Sequence, residues 1–119
     1  MRIFFIAPYL GKQKYQKEYT QIIEIIESTG AEVLSAEKGR EYQEIFTPEN
    51  LKKYGSHERV HYRFIRQGVI NADGLVVEAS LDDLRVGHEM TLALLYKKPV
   101  LCLSQNLDYG KYIEHEYFE

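Results

Sequence analysis

Four short segments of the chain are rich in apolar residues, and each has the length of a strand. The first and third, RIFFIA and GLVVE, run through apolar residues without alternation, which is typical of strands buried on both faces of a sheet. We predict strands over residues 2–7, 31–35, 74–78 and 99–103. Pro8 follows the first strand, and Pro99 separates the last one from the segment before it.

Helical periodicity occupies the segments between these strands. One apolar face repeats at i, i+4, i+7, i+8 and i+11, formed by Tyr15, Tyr19, Ile22, Ile23 and Ile26. Gly30 then caps that helix, and a later helix starts near Val86 and runs to Lys98. Strands that alternate with helices predict an α/β fold. We expect a single domain over residues 1–119, with a doubly wound parallel sheet of four to five strands in the order 2-1-3-4.

The middle of the chain, residues 38–55, has the least regular pattern. Thr47 precedes a proline and predicts the N-cap of a short helix that Gly55 ends. Ser56 predicts the cap of a longer helix through Asn71, although Gly68 inside it lowers the intrinsic helix propensity.

Composition narrows the classes of function. The 119 residues carry a formal charge of -3 and contain no basic run, which argues against a nucleic-acid-binding groove. The apolar segments are too short to span a bilayer, and the chain enters a strand at once, so we expect neither a membrane anchor nor a signal peptide. Cys102 is the single cysteine and lies in an apolar strand, where we expect it to be a core residue. These features predict a cytoplasmic protein.

Acidic residues follow the third predicted strand, at the sheet edge where ligands bind in open α/β folds. Glu78 ends that strand, Asp83 lies in the loop after it, and Glu89 falls in the first turn of a helix that begins near Val86. The switch point of the sheet would lie between residues 7–9 and 78–80. A glutamate in the first helical turn is also a common capping or charge-balancing residue, so this position alone does not establish a catalytic site.

The ordered motifs Ala72-Asp73, Val76-Val77-Glu78, Val86-Gly87-His88-Glu89 and Lys98-Pro99-Val100-Leu101 resemble the nucleoside 2-deoxyribosyltransferase family. The nearest branch is that of the 2'-deoxynucleoside 5'-phosphate N-hydrolases. The resemblance covers about three quarters of the chain and matches residues 38–66 poorly.

The resemblance implies a flavodoxin-like fold that cleaves the N-glycosidic bond of a nucleoside or nucleotide without a cofactor or a metal. Glu89 corresponds to the family nucleophile, which the positive end of its helix would keep ionised. The resemblance also implies a homodimer or larger homo-oligomer. The aromatic tail around Tyr112, Ile113, Tyr117 and Phe118 is a candidate contact between subunits.

Further site residues are carried over from the family motifs. Gly87 would let the sugar approach the backbone, and His88 would contact base or sugar, or be only a polar helix residue. Pro8 stands where the family has a small phosphate-binding residue, and Tyr9 would supply the hydroxyl that this replacement removes. Arg85 would offset the repulsion between Asp83 and a phosphate. Asp83 is a candidate catalytic residue, because it lies where the hydrolases have a phosphate-holding serine and where transferases have an aspartate that contacts the base. It is equally consistent with a solvated loop residue and helix cap. Glu78 is a candidate for a second catalytic carboxylate.

Two positions depart from the family pattern. Phe4 stands where the family usually has a tyrosine, and Ile65 falls where it has an aspartate early in the helix before the third strand. With a shift in alignment, one of His57, Glu58 or His61 would stand in for that aspartate.

Two other functions remain open at this point. One is a non-catalytic nucleotide-binding or sensor protein with the same fold. The other is a zinc hydrolase, because His57, Glu58 and His61 form the sequence H-E-x-x-H. Arg59 within that motif and the lack of a third ligand at a recognised spacing argue against zinc.

Overall fold

The computed structural model describes residues 1–81 and 83–105, apart from the side chains of Leu10, Lys12 and Gln13. Within these residues a parallel sheet contains β1 (Arg2–Ile6), β2 (Glu32–Leu34), β3 (Gly74–Glu78) and β4 (Val100–Leu103), in the order β2-β1-β3-β4. Both neighbours of β1 run parallel to it, and β3 pairs with β4 in the same sense. The predicted parallel α/β sheet and its strand order are therefore confirmed.

Five α-helices connect and cover these strands in the described part of the chain. They are α1 (Lys12–Ser28), α2 (Arg40–Gln43), α3 (Pro48–Tyr54), α4 (His57–Asn71) and α5 (Leu84–Leu95). Two 3-10 turns, Tyr9–Gly11 and Ala36–Lys38, follow the carboxyl ends of β1 and β2. The predicted caps are present, because the Thr47 and Ser56 side chains accept hydrogen bonds from Asn50 N and Arg59 N.

The sheet has a separate apolar core on each face. On one face Phe5, Val33 and Val76 pack against α1 through Tyr19 and Ile23. On the other face the strands pack against α4 and α5, and this cluster includes Phe4, Leu75, Val77, Ile65, Val69, Val86 and Met90. Helices on both faces make this a doubly wound sheet, as the sequence predicted.

Gly68 allows α4 to lie close to the sheet. A Cβ atom at this position would come within 2.7 Å of the Phe4 ring, closer than van der Waals contact permits. The helix runs through Gly68 without interruption because this packing outweighs the low intrinsic helix propensity of glycine, which is on the order of 1 kcal/mol.

Three further sequence predictions concern membrane spans, the cysteine and the aromatic tail. None of the helices in the described ranges combines the length and the apolar character needed to cross a membrane. Cys102 is a free, half-buried thiol that packs against the core on the α4 and α5 face. The aromatic tail proposed as a subunit contact, Tyr112 to Phe118, lies outside the described residues.

Candidate active site

A cavity of about 1010 Å³ opens at the carboxyl end of β1, on the α4 and α5 face of the sheet. The end of β1 forms one wall, and the segment from Ala36 to Phe46 forms the opposite one. The remaining walls are the first turns of α4 and the start of α5. This is the sheet edge at which the sequence placed the ligand site, and the volume is at the upper end for small-molecule sites.

Glu89 lies in the buried stripe of α5. Val86, Glu89, Met90 and Ala93 are buried at i, i+3, i+4 and i+7, so this carboxylate occupies a position that an amphipathic helix normally gives to an apolar residue. The helix begins at Leu84, two residues earlier than predicted, because Asp83 caps it. Glu89 therefore falls in the second turn, and its expected place in the first turn was wrong.

The environment of Glu89 favours the protonated form of its carboxyl group. Glu89 is only 7% exposed, and its carboxyl pKa is raised to about 8, mainly by burial. The negative charges of Asp83 and Glu37 contribute to this raised value, and the positive charge of Arg85 opposes them. The expectation that the helix start keeps Glu89 ionised is not supported, since desolvation outweighs a dipole effect that fades beyond the first turn.

Asp83 has a structural function at the cavity wall. Its Oδ1 accepts hydrogen bonds from Arg85 N at 2.8 Å and Val86 N at 3.1 Å, which is the geometry of an N-cap. The capping interpretation that the sequence left open is therefore confirmed. Asp83 and Arg85 both line the cavity, so the same turn brings one negative and one positive side chain to the site.

Three of the five predicted substrate contacts, Arg85 among them, line the cavity, and two do not. Tyr9 and His88 line it, and the His88 ring lies 6.1 Å from the Tyr62 ring at the cavity rim. Pro8 is buried outside the lining, and its carbonyl oxygen accepts a hydrogen bond from the Tyr19 hydroxyl. Gly87 is exposed, and a Cβ atom there would meet nothing within 4 Å. The structure therefore gives no steric reason for glycine at this position.

Glu78 does not reach the cavity. Successive side chains of a strand point to opposite faces, and Glu78 shares the face of Val76, which packs with α1, whereas the cavity lies on the face of Val77. The Ser80 backbone N–H and hydroxyl both donate to Glu78 Oε1. Its expected place beside Glu89 in one crevice is therefore wrong, because the pleat of β3 turns it away.

The wall formed by residues 36–46 contributes groups that the sequence analysis missed. Tyr42 on α2 and Phe46, which follows the end of α2, both line the cavity, and Glu37 also lines it. The Tyr42 hydroxyl lies 2.5 Å from His61 Nδ1, and the Phe46 ring lies 5.1 Å from the His57 ring. The sequence feature that could have identified this wall is the i, i+4 spacing of two aromatic residues. The segment that contains them is too short and polar to be predicted as a helix.

Comparison with known proteins decides the family, although no family model matches the chain. A protein of Nematostella vectensis, provisionally named 2'-deoxynucleoside 5'-phosphate N-hydrolase 1, is 35% identical over 104 residues, which are 86% of this chain and 66% of that protein. A protein of the same name from Syntrophotalea carbinolica is 32% identical over 103 residues, which cover 87% and 68%. The chain belongs to the 2'-deoxynucleoside 5'-phosphate N-hydrolase family. It spans about two thirds of the length of these relatives.

Solved structures show the same fold as this family member. The CMP N-glycosidase BcmB of Clostridium botulinum superposes with a TM-score of 0.58 at 16% identity, over 94% of this chain and 81% of that one. The 2-deoxyribosyltransferase of Bacillus psychrosaccharolyticus gives a TM-score of 0.61 at 20% identity, over 90% and 74%. At these identities the likeness establishes the fold alone.

The departures from the family pattern are packing positions in this N-hydrolase family member. Phe4 is 1% exposed and contacts the Phe64 ring at a centroid distance of 5.9 Å. Ile65 is 4% exposed and belongs to the same core. One helical turn before Ile65, on the same face of α4, is His61, which does carry polar atoms to the cavity.

The H-E-x-x-H residues of this family member have separate environments. His57 stacks on Phe46, His61 bonds to Tyr42, and Glu58 is exposed at the first turn of α4. All three line the cavity. Over residues 1–81 and 83–105, no cluster of three or more His, Cys, Asp or Glu side chains has an arrangement that could hold a metal ion.

Proposed function

We propose that this protein hydrolyses, or transfers the sugar of, the N-glycosidic bond of a nucleoside or nucleoside 5'-monophosphate, with Glu89 as nucleophile. The observation that carries the proposal is a buried carboxylate in the wall of a nucleotide-sized cavity, at the ligand-binding edge of the sheet. The names of its relatives, which span more than this chain, support the same reaction.

The chemistry asks little of the protein beyond one well-placed carboxylate. A Glu89 oxygen attacks the anomeric carbon as the carbon–nitrogen bond breaks, and the bonding electron pair leaves with the base. The product is a glycosyl ester on Glu89. Water then attacks the ester to give the free sugar, or an acceptor base attacks it to give a new nucleoside.

The protonation state of Glu89 sets the pH at which this step proceeds. With a pKa of about 8, most molecules carry the neutral acid at pH 7, and only the ionised fraction can attack. We therefore expect the rate of base release to rise with pH through about 8. A substrate that brings positive character to the anomeric carbon favours the carboxylate form once it is bound.

Arg85 is the cation that we assign to a 5'-phosphate. It lies in the first turn of α5 and lines the cavity, and the residue is exposed. Tyr9 lines the cavity beside the end of β1 and offers a hydroxyl to the same group. Asp83 opposes phosphate binding by charge repulsion, which its capping bonds to the start of α5 reduce.

The test is product analysis with a panel of nucleosides and 5'-monophosphates, in which released base is quantified by chromatography. Glu89→Gln keeps the shape of the side chain and removes the charge, and we expect base release to fall by several orders of magnitude. A substrate with fluorine at the sugar 2-position, which slows hydrolysis of the ester, should leave a sugar adduct on the peptide containing Glu89. Near-parental activity of Glu89→Gln would show that another group is the nucleophile.

A second candidate function is a non-catalytic nucleotide sensor. It is favoured by Ile65, an apolar residue where the family has an aspartate, and by the protonated state of Glu89. Tight binding of a 5'-monophosphate by the parent protein, with no base released from any member of the panel, would support this candidate.

We also propose that the protein works as a homodimer or larger homo-oligomer in the cytoplasm. The free thiol of Cys102 is compatible with a reducing compartment, and Leu101 on β4 is a large apolar side chain that is more than half exposed. Light scattering at tens of micromolar protein tests the assembly, and a monomeric mass would contradict it.

A further inference from the structure

Tyr42 and His61 form a hydrogen-bonded pair in the wall of the cavity, and the reaction above does not use it. Tyr42 comes from α2 and His61 from α4, and the hydroxyl lies 2.5 Å from Nδ1. The two rings meet edge to face at 5.8 Å and 89°. Both side chains line the same cavity as Glu89.

Aromatic neighbours fix the position of the Tyr42 ring. The Phe46 ring meets it at 5.2 Å and the Phe64 ring at 5.3 Å, both edge to face. Edge-to-face contacts of this kind stabilise the orientation of an aromatic ring beyond the effect of area burial. The hydroxyl of Tyr42 is therefore presented to His61 by a rigid ring.

The bond determines which nitrogen of His61 carries the proton. Burial raises the pKa of Tyr42, so its hydroxyl stays protonated and needs an acceptor. Among the described residues His61 Nδ1 is the acceptor it has. Burial lowers the pKa of His61, with a further contribution from the charge of Arg85, so the imidazole is neutral. A neutral ring that accepts at Nδ1 carries its hydrogen at Nε2.

We propose that His61 Nε2–H donates a hydrogen bond to the departing base, with Tyr42 holding the imidazole in the tautomer that can do so. The inference rests on the proposed function. As the carbon–nitrogen bond breaks, the electron pair moves onto the base, and a donor at one of its ring nitrogens or carbonyl oxygens stabilises that charge. His61 keeps its proton, and the base takes a proton from solvent after it leaves.

Other polar side chains of the wall are less suited to this role. His57 is exposed and stacked on Phe46, and His88 is exposed near Tyr62 at the rim. Glu37 and Glu58 are acidic and would repel an anionic base. His61 is half-buried in this wall, and its Nδ1 is already bonded to the Tyr42 hydroxyl. Its Nε2–H is therefore the ring donor that remains.

The experiment compares two leaving groups on one sugar. The first substrate is the natural nucleotide that the parent cleaves best, and the second is the 4-nitrophenyl glycoside of the same sugar phosphate, whose leaving group is stable as an anion without a donor. For His61→Leu we expect kcat/KM to fall roughly 100-fold on the nucleotide and by less than about 3-fold on the nitrophenyl substrate. Glu89→Gln should lose activity on both.

If His61→Leu folds poorly, two more conservative variants still test the inference. Tyr42→Phe retains the ring and its aromatic contacts but releases the imidazole tautomer, and we expect a loss of roughly 10-fold on the nucleotide alone. His61→Gln restores a side-chain N–H donor and should recover part of the activity that Leu loses.

The outcomes separate this inference from the proposed function. Equal losses on both substrates would mean that the pair only supports the cavity wall, and no loss would mean that it does not contact the base; either result overturns the inference while Glu89 keeps its role. If Glu89→Gln stays active, the nucleophile assignment fails whatever the His61 variants show. If the parent cleaves neither substrate, the function and this inference both fall.

Discussion

Two carboxylates at the carboxyl edge of the sheet, Glu78 and Glu89, are both buried, yet they have opposite surroundings. Glu78 is 3% exposed at the end of β3, and its Oε1 receives two hydrogen bonds from Ser80. Glu89 is 7% exposed on α5, lines the cavity, and receives no hydrogen bond from the described residues. Burial alone therefore does not distinguish a structural from a reactive carboxylate.

The difference lies in what each carboxylate is bonded to and which face of the sheet it occupies. The oxygen of Glu78 that has partners ties the end of β3 to the following turn, and Ser80 continues the connection by accepting from Gln105 N at 2.8 Å. Glu89 is desolvated and has no donor among the described residues on either oxygen, whereas Glu78 has two donors on Oε1 and a buried Oε2 without a partner there. Desolvation without donors is costly for a charge and is a feature of reactive groups. A cavity next to such a group can bind a substrate within its reach.

The largest expected effect is a difference in activity between two matched variants. Glu89→Gln should reduce base release by several orders of magnitude because the nucleophile is lost. Glu78→Gln keeps an oxygen that can accept from Ser80, and we expect its kcat/KM to stay within about 3-fold of the parent. Initial rates of both variants on the preferred substrate measure the contrast. A loss of comparable size in Glu78→Gln would show that the two faces of the sheet are not functionally separate.

The next effect is on stability as a function of pH. The folded-state pKa of Glu89, about 8, lies above the ordinary value of 4.5, so the folded protein binds this proton more tightly than the unfolded chain. Its contribution to stability is present below pH 4.5 and is lost as pH rises to about 8. Relative to the parent, Glu89→Gln should therefore gain up to a few kcal/mol between these pH values.

Urea unfolding at pH 5 and pH 8.5 provides this measurement. Glu78→Gln is the matched control variant, because it makes the same substitution at a buried glutamate on the other face of the sheet. If Glu89→Gln follows the parent at both pH values, the carboxyl group of Glu89 does not have a raised pKa in the folded protein.

A smaller effect is expected when the charges around Glu89 are changed one at a time. Asp83 raises the pKa of Glu89 and Arg85 lowers it. Asp83→Ser should therefore move the rising limb of the pH–rate profile to lower pH, and Arg85→Gln should move it to higher pH. Both profiles are measured as kcat/KM on an uncharged nucleoside, so that phosphate binding does not contribute. Shifts in the same direction would contradict this account of the site.

The smallest effect separates the charge of Asp83 from its cap. Asp83→Ser retains a side chain that can cap α5, whereas Asp83→Ala does not. We expect Ala to cost about 1 kcal/mol of unfolding free energy and Ser clearly less. Chemical denaturation at pH 5, where Glu89 is protonated, excludes the indirect effect through its pKa. Equal costs would mean that the two capping hydrogen bonds contribute little.

The sequence was sufficient to predict the sheet and to place Glu89 near the ligand-binding edge of that sheet. The apolar segments at β1 and β3 and the capping residues Thr47 and Ser56 act locally, so their effect can be read from a few neighbouring residues. The parallel order follows from alternation and from the handedness of crossovers. That Glu89 lies at the ligand-binding edge follows from the same reasoning.

The set of side chains that lines the cavity could not be predicted from local sequence patterns. Tyr42 and His61 are 19 residues apart, and only the packing of α2 against α4 brings them together. The face on which Glu78 lies depends on the register of β3, where a change of one residue exchanges the two faces. The raised pKa of Glu89 depends on how completely the rest of the fold buries this side chain, and the residues next to it in the sequence do not determine that burial.

The central position of β1 has a consequence for the order in which the molecule is assembled. Ile3 pairs with Gly74, and the cavity walls come from residues as distant as Phe4 and Glu89. During synthesis, β1 and β2 can pair long before β3 emerges. The backbone edge of β1 that later pairs with β3 then has no partner, and the face with Phe4 and Ile6 lacks the cover that α5 later provides. Contacts of such sequence separation form slowly, and an unpaired apolar edge is prone to aggregation. We therefore expect the nascent N-terminal half to need protection until β3 has been made.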